Sequence, residues 1–245
     1  MEDLPPYTPQ AISDILPIYR PQDSDSHIRI YDLRQTCPST LNLSLREDHT
    51  TSSTSYEIKS NKTGGFMNRK PHVIVTAINK GQLIAEGRYD IHGTGMTITY
   101  PHLEPQRLEL ENSLAQVLRT QIHGSDFWWQ PHPGNKGVLE LTNETEEIVA
   151  RFVYTTTALQ RAGSWSERST SASDSKKDRV EFDLGDLHVV DALVAEESGH
   201  EQIICGAIMV IERAKRRAEN MAKNGPALKG PASWGMSISP PGGFT

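Results

Sequence analysis

The sequence predicts a mainly β protein, a closed antiparallel β-barrel around a buried hydrophobic C-terminal α-helix, with one additional amphipathic helix. Three observations carry this. Short stretches alternate apolar and polar residues, the period of a half-buried strand, and recur with turn residues between them at the roughly 8–12 residue spacing of sandwiches and barrels. Nine residues, Ile203 to Ile211, then carry no charged or strongly polar side chain. A helix that is apolar on every side has to be covered on every side. A sandwich covers one face, whereas a barrel threaded by the helix covers all of it and leaves no sheet edge. A helix with its side chains is about 10–12 Å across, and an eight-stranded barrel holds only its own side chains. More than eight strands are therefore required.

Alternation begins with "IRIYDLR" (28–34) and recurs in "LNLSLRE" (41–47), "SYEIKS" (55–60), "HVIVTAI" (72–78), "QLIAEGRYDI" (82–91) and "MTITY" (96–100). Turn chemistry separates them in "NKTGGFMNRKP", "NKG" and "HGTG". Leu110, Leu114, Val117 and Leu118 fall at i, i+4, i+7 and i+8, which predicts the amphipathic helix. Strands resume with "DFWWQ" (126–130), "GVLELT" (137–142) and "EIVARFVYTTT" (147–157), the last two joined by a turn at "NETE" (143–146). "RVEFDLG" and "LHVVDALV" read as the last strands, after a mobile Ser-rich insertion at 163–179.

The terminal helix is predicted to be the core itself. Burying Ile203, Ile204, Ile208, Met209, Val210 and Ile211 contributes at most roughly 9–18 kcal/mol, at about 1.5–3 kcal/mol each. That is of the order of a whole domain's net stability. Past Glu212 the helix is expected to leave the barrel, with Arg213, Lys215, Arg216, Arg217 and Lys223 near the negative pole of its dipole and "NGP" (224–226) ending it.

Hydrophobic residues make up 36% of the 245 residues and mean hydropathy is −0.51, low for a compact domain, which predicts disordered segments around one core. Residues 1–25 read as a disordered Pro-rich arm, 26–223 as the barrel domain and 224–245 as a disordered tail. A net charge of −6 and a pI near 5.8 argue against nucleic acid as partner. Cys37 and Cys205 supply neither a disulfide framework nor a zinc spacing, and no metal or cofactor is expected. The start of the chain lacks a basic n-region and an apolar h-region, so a cytoplasmic setting is expected. The longest apolar run is about half the length of a transmembrane span.

Three stretches carry a family resemblance: "RKPHVIVTAINKGQLIAEGRYD", "DFWWQ" followed by "GVLELTNETEEIVARFVY", and "LHVVDALVAEESGHEQIICGAIMVIERAKRR". An aromatic strand, a Leu…Asn…Val-Ala-Arg hairpin and an Ile/Val-rich helix ending in Glu-Arg and a basic run resemble the tubby C-terminal-like superfamily. That group includes tubby proteins, phospholipid scramblases and LURP-one-related proteins, and the likeness is greatest to a fungal branch. It spans residues 26–223, interrupted by 163–179. The resemblance implies the barrel-and-helix fold and a phospholipid-binding role through Lys and Arg on the barrel wall.

Two groups of residues are candidates for binding. Leu4, Pro5 and Tyr7 in "LPPY", and Leu16, Pro17 and Tyr19 in "LPIY", fit the polyproline-type ligand of WW domains, and two copies in one arm suit a tandem WW protein. Lys62, Arg69 and Lys70 around "GGFMNRKP", with Arg213, Lys215, Arg216 and Arg217 on the helix exit, are candidate ligands for phosphate on an anionic phospholipid. No catalytic motif is present, so a non-enzymatic binding module is expected. The alternative is an enzyme or small-molecule carrier using the barrel mouth near Trp128 or Trp129, one of which must face inward. A pairing of His123 with Asp126 across a turn, and a dyad of Cys37 with a histidine, are the remaining chemical options.

Overall fold

Alternation becomes strand wherever every second side chain finds cover. The computed structural model describes residues 27–37, 39–46, 55–61, 71–90, 94–113, 115–135, 137–156, 158, 182–191 and 196–224, with side chains to 217. The first six strands are β1 (Ile28–Cys37), β2 (Thr40–Leu45), β3 (Ser55–Ser60), β4 (Val73–Ala77), β5 (Gln82–Tyr89) and β6 (Gly95–Thr99). The next six are β7 (Gln106–Asn112), β8 (Val117–Ile122), β9 (Ser125–Pro131), β10 (Val138–Asn143), β11 (Ile148–Tyr154) and β12 (Phe182–Val190). Each pairs antiparallel with its neighbours in sequence, and β1 pairs with both β2 and β12, which closes the barrel. Helix α1 (Glu197–Asn224) follows.

Closure turns one side chain of each alternating pair inward. Leu33, Leu43, Ile58, Val75, Ile98, Leu108, Leu118, Trp129, Leu141, Phe152 and Leu187 are all at most 3% exposed. Helix residues Gln202 through Glu212 are buried without a break, which a helix lying against an outer wall does not achieve. Contacts to well-separated strands agree: Met209 packs on Gly87 of β5, and Gly206 faces Trp129 of β9. The helix is thick where the wall is thin and thin where the wall is thick. Twelve strands supply the diameter that the apolar helix demanded.

Two expectations are corrected. Residues 110–118 are not a helix: Leu110 on β7 stands directly opposite Leu118 on β8, and the turn is capped by Asn112 Oδ1 accepting from Ala115 N at 2.9 Å. A hairpin fold-back brings apolar positions together at a spacing that imitates helical periodicity. The two last strands are one strand, β12, which bulges where Leu33 pairs with Gly185 and Arg34 with Asp183. Gly185 is required there, since a Cβ would lie 2.1 Å from the Val153 carbonyl oxygen. The β10–β11 turn is where "NETE" placed it, with Asn143 Oδ1 accepting from Thr145 N (3.0 Å) and Glu147 N (2.9 Å). Arm 1–25, insertion 163–179 and all of the tail 224–245 except Asn224, which ends α1, lie outside the described residues.

The antiparallel order gives the barrel two rims. The near rim, where α1 begins, carries the β4–β5, β6–β7 and β8–β9 connections. The far rim, where α1 emerges, carries the ends of β3 and β5 and the start of β4.

Candidate functional site

At the far rim the sequence sets an aromatic residue, Tyr89, at the end of β5 beside the emerging helix. Its backbone N–H donates to His72 Nδ1 at 3.1 Å, its ring lies 5.3 Å from the His72 ring, and its hydroxyl is 3.5 Å from the Met209 carbonyl oxygen. Arg216 lays its guanidinium over the Tyr89 ring at 4.8 Å and donates to the carbonyls of Asn61 (2.9 Å) and His72 (3.3 Å). Exposed Arg88 and Arg217 and half-buried Arg213 complete the group. Burial, then Arg216 and Arg88, holds the His72 imidazole below its usual range. Burial, then Arg217, lowers the Arg213 guanidinium as well. Burial is the larger cause in both, and the neighbouring arginines add to it, in a chain of net charge −6.

The four helix cations do not act alike. Lys215 is 5% exposed and pairs with Glu212, itself 1% exposed, at 3.4 Å, so it is an internal counter-charge and not a solvated ligand. Arg216 is occupied by carbonyls and the Tyr89 face. The helix runs on to Asn224, so this cluster lies mid-helix and not at the dipole's negative end. Lys62, Arg69 and Lys70 lie outside the described residues, but both ends of their segment meet here, with Asn61 Nδ2 donating to the Pro71 carbonyl at 2.7 Å. Arg88, Tyr89 and His72 were missed in the sequence. Arg88 and Tyr89 end β5 and His72 immediately precedes the adjacent β4, and nothing in a linear pattern says that helix residues 120 positions on from Tyr89 will emerge beside them.

The near rim has the opposite character. Glu197 and Glu201, one turn apart on α1, face a cleft of about 330 Å³ whose other walls include Tyr56, Lys80, Leu83, Tyr100 and His102. Arg29 ties Glu197 (3.2 Å) and Asp191 (3.0 Å) together, and buried His200 places Nε2 3.1 Å from Asp191 Oδ1. Burial, then Glu197, raises the Glu201 carboxyl above its usual range, against the pull of His102 and Lys80.

The Trp pair builds no ligand platform. Trp129 is 1% exposed and faces α1, while Trp128 points outward and donates Nε1–H to Glu111 Oε2 at 2.7 Å. The barrel axis beside Trp129 is filled by the helix, and the cleft lies at the near rim instead. Asp126 pairs with Arg119 and not with His123, whose Nε2 lies 3.2 Å from Ser198 Oγ in an exposed cluster. Burial opposes the Cys37 thiolate, but hydrogen bonds from Thr40 and Ser39 outweigh it and bring the thiol below its usual range. No histidine contact to Cys37 occurs among the described residues. Among the same residues no group of three His, Cys, Asp or Glu is placed to hold a metal ion, and no helix is long and apolar enough to cross a membrane. The WW-ligand residues Leu4, Pro5, Tyr7, Leu16, Pro17 and Tyr19 lie outside the described residues. No family model matches the chain, and neither a curated protein nor a solved structure shows significant similarity to it.

Proposed function

We propose that the chain is a non-enzymatic, tubby-like binding module that associates peripherally with anionic phospholipid through its far rim and recruits a WW-domain protein through its N-terminal arm. One observation carries the lipid reading: Arg88, Arg213, Arg216 and Arg217 gather around Tyr89 and His72 in an otherwise acidic chain. Guanidinium groups suit phosphate by charge and by their fork of donors. The described residues that flank the segment bearing Lys62, Arg69 and Lys70, Asn61 and Pro71, meet at the same rim. An interior already filled by α1 leaves outer surfaces and rims for recognition.

Vesicle sedimentation tests it. The full chain should pellet with phosphatidylcholine vesicles carrying phosphatidylinositol bisphosphate and stay soluble with phosphatidylcholine alone. Retention should fall as salt rises. The exposed pair Arg88→Glu and Arg217→Glu should abolish it without loss of fold. Equal partitioning with and without the anionic lipid at low ionic strength overturns the reading. For the arm, Tyr7→Ala with Tyr19→Ala should remove binding to an immobilised tandem WW domain, and unchanged capture rejects the motif.

A further inference from the structure

The near-rim cleft has no part in the far-rim reading, and its chemistry is specific. Its volume of about 330 Å³ falls at the lower end of small-ligand pockets. Its walls come from the start of β3, the β4–β5 turn, the β6–β7 loop and the first two turns of α1, so only the closed barrel assembles it.

Glu201 is the decisive group. It is half-buried and has no hydrogen bond or ion pair among the described residues, with a second carboxylate, Glu197, one turn away on the same wall. Glu197 is turned toward Arg29; Glu201 is not. A carboxylate taken partly out of water without a direct ion pair destabilises the fold, and a cation brought into contact with it reduces that penalty beyond the longer-range pull of Lys80 and His102. Such a group in a cleft is a candidate ligand site.

The remaining walls say what else the ligand carries. Leu83 lines the cleft and is 37% exposed; with Ile78, 49% exposed on the same hairpin, it forms the pair of exposed large hydrophobic side chains among the described residues. Leu103 and Pro101 continue the apolar side, and Tyr56 and Tyr100 add aromatic rings, which attract cations. Lys80 and His102 stand on the wall as well and disfavour a ligand with two positive ends.

We propose that the near-rim cleft binds a small amphipathic amine, its ammonium held by Glu201 with Glu197 behind it and its apolar body lying on Leu83, Leu103 and Pro101. Hexylamine and hexanol, which share a body and differ in charge, are the probes, with calorimetric titration of the full chain as the readout. Hexylamine should bind saturably at one site, and hexanol about ten-fold more weakly or worse, as expected for loss of one charged hydrogen bond. Glu201→Gln keeps the shape, removes only the charge and should weaken hexylamine about ten-fold. Leu83→Ser, an exposed change that leaves the core intact, should weaken both probes. Circular dichroism and melting confirm that each variant is folded. Hexanol binding as tightly as hexylamine, unchanged hexylamine binding in folded Glu201→Gln, or no saturable binding to the wild-type chain in the millimolar range overturns the proposal. The far-rim lipid assay is independent of each of these outcomes.

Discussion

Met209 of α1 fills the notch left by Gly87 of β5: a β-carbon at residue 87 would come within 2.2 Å of the Met209 sulfur. Helix and wall are therefore fitted to each other at this point. Gly87→Ala should destabilise by about 1–3 kcal/mol through overpacking. The same change in a Met209→Ala background should cost less, because the shortened side chain vacates the space. Urea unfolding of the four-member cycle gives the coupling, and strictly additive effects would show that the two residues do not share that volume.

Lys215 and Glu212 form an ion pair in which both members are almost fully enclosed. Removing the lysine alone by Lys215→Met strands the carboxylate and should cost about 3–5 kcal/mol. Adding Glu212→Gln should recover most of that loss, since the uncompensated charge goes with it. A double variant no more stable than the single one would assign the cost of Lys215→Met to packing.

Buried His200 at the near rim is held below the usual 6.5, first by burial and then by Arg29. Burial likewise lowers His72 and His188. A lowered imidazole means that the folded chain keeps it neutral while the unfolded chain takes up the proton. The stability involved is complete above pH 6.5 and is lost as pH falls through 6.5 toward the folded values. Melting temperature should therefore drop between neutral and mildly acid pH, with protons taken up on unfolding. A flat profile through that window rejects the assignment.

Glu201 works in the other direction. Its folded carboxyl lies above the usual 4.5, so its contribution is most favourable below 4.5 and is lost as pH rises through the folded value. Glu201→Gln should raise the melting temperature at neutral pH, and the gain should vanish below pH 4.5. A variant less stable than wild type at neutral pH would mean that the carboxylate is already well solvated.

Much of the architecture was legible because one physical demand dominated. The uncharged run Ile203–Ile211 could be stable only if enclosed, and all nine residues are buried. Strands were readable where inward and outward environments alternate, as in "SYEIKS" for β3. The β7–β8 hairpin was misread because Leu110 and Leu118 are spaced for one helix face and also face each other across a turn. The alternation of Leu108 and Leu110 with Glu109 and Glu111 was the better signal. Gly185 looked like a break between strands because a glycine in a bulge and a glycine in a turn are the same letter. The rims were not legible, since Tyr56, Lys80, His102 and Glu201 meet only when the ring closes. Lys215 was read as a candidate phosphate ligand because no local pattern reveals that Glu212, three residues earlier, is enclosed and pairs with it.

That the plug of this barrel is also its last described element has a consequence for synthesis. At about 5–20 residues per second, the interval between Ile28 and Ile211 leaving the ribosome is roughly 10–40 s. During that time the staves exist without the piece that fills them, and β1 waits for β12, the longest-range pairing in the molecule. A nascent chain stalled before Ile203 should therefore be sticky and protease-sensitive, whereas one released after Arg217 should close promptly.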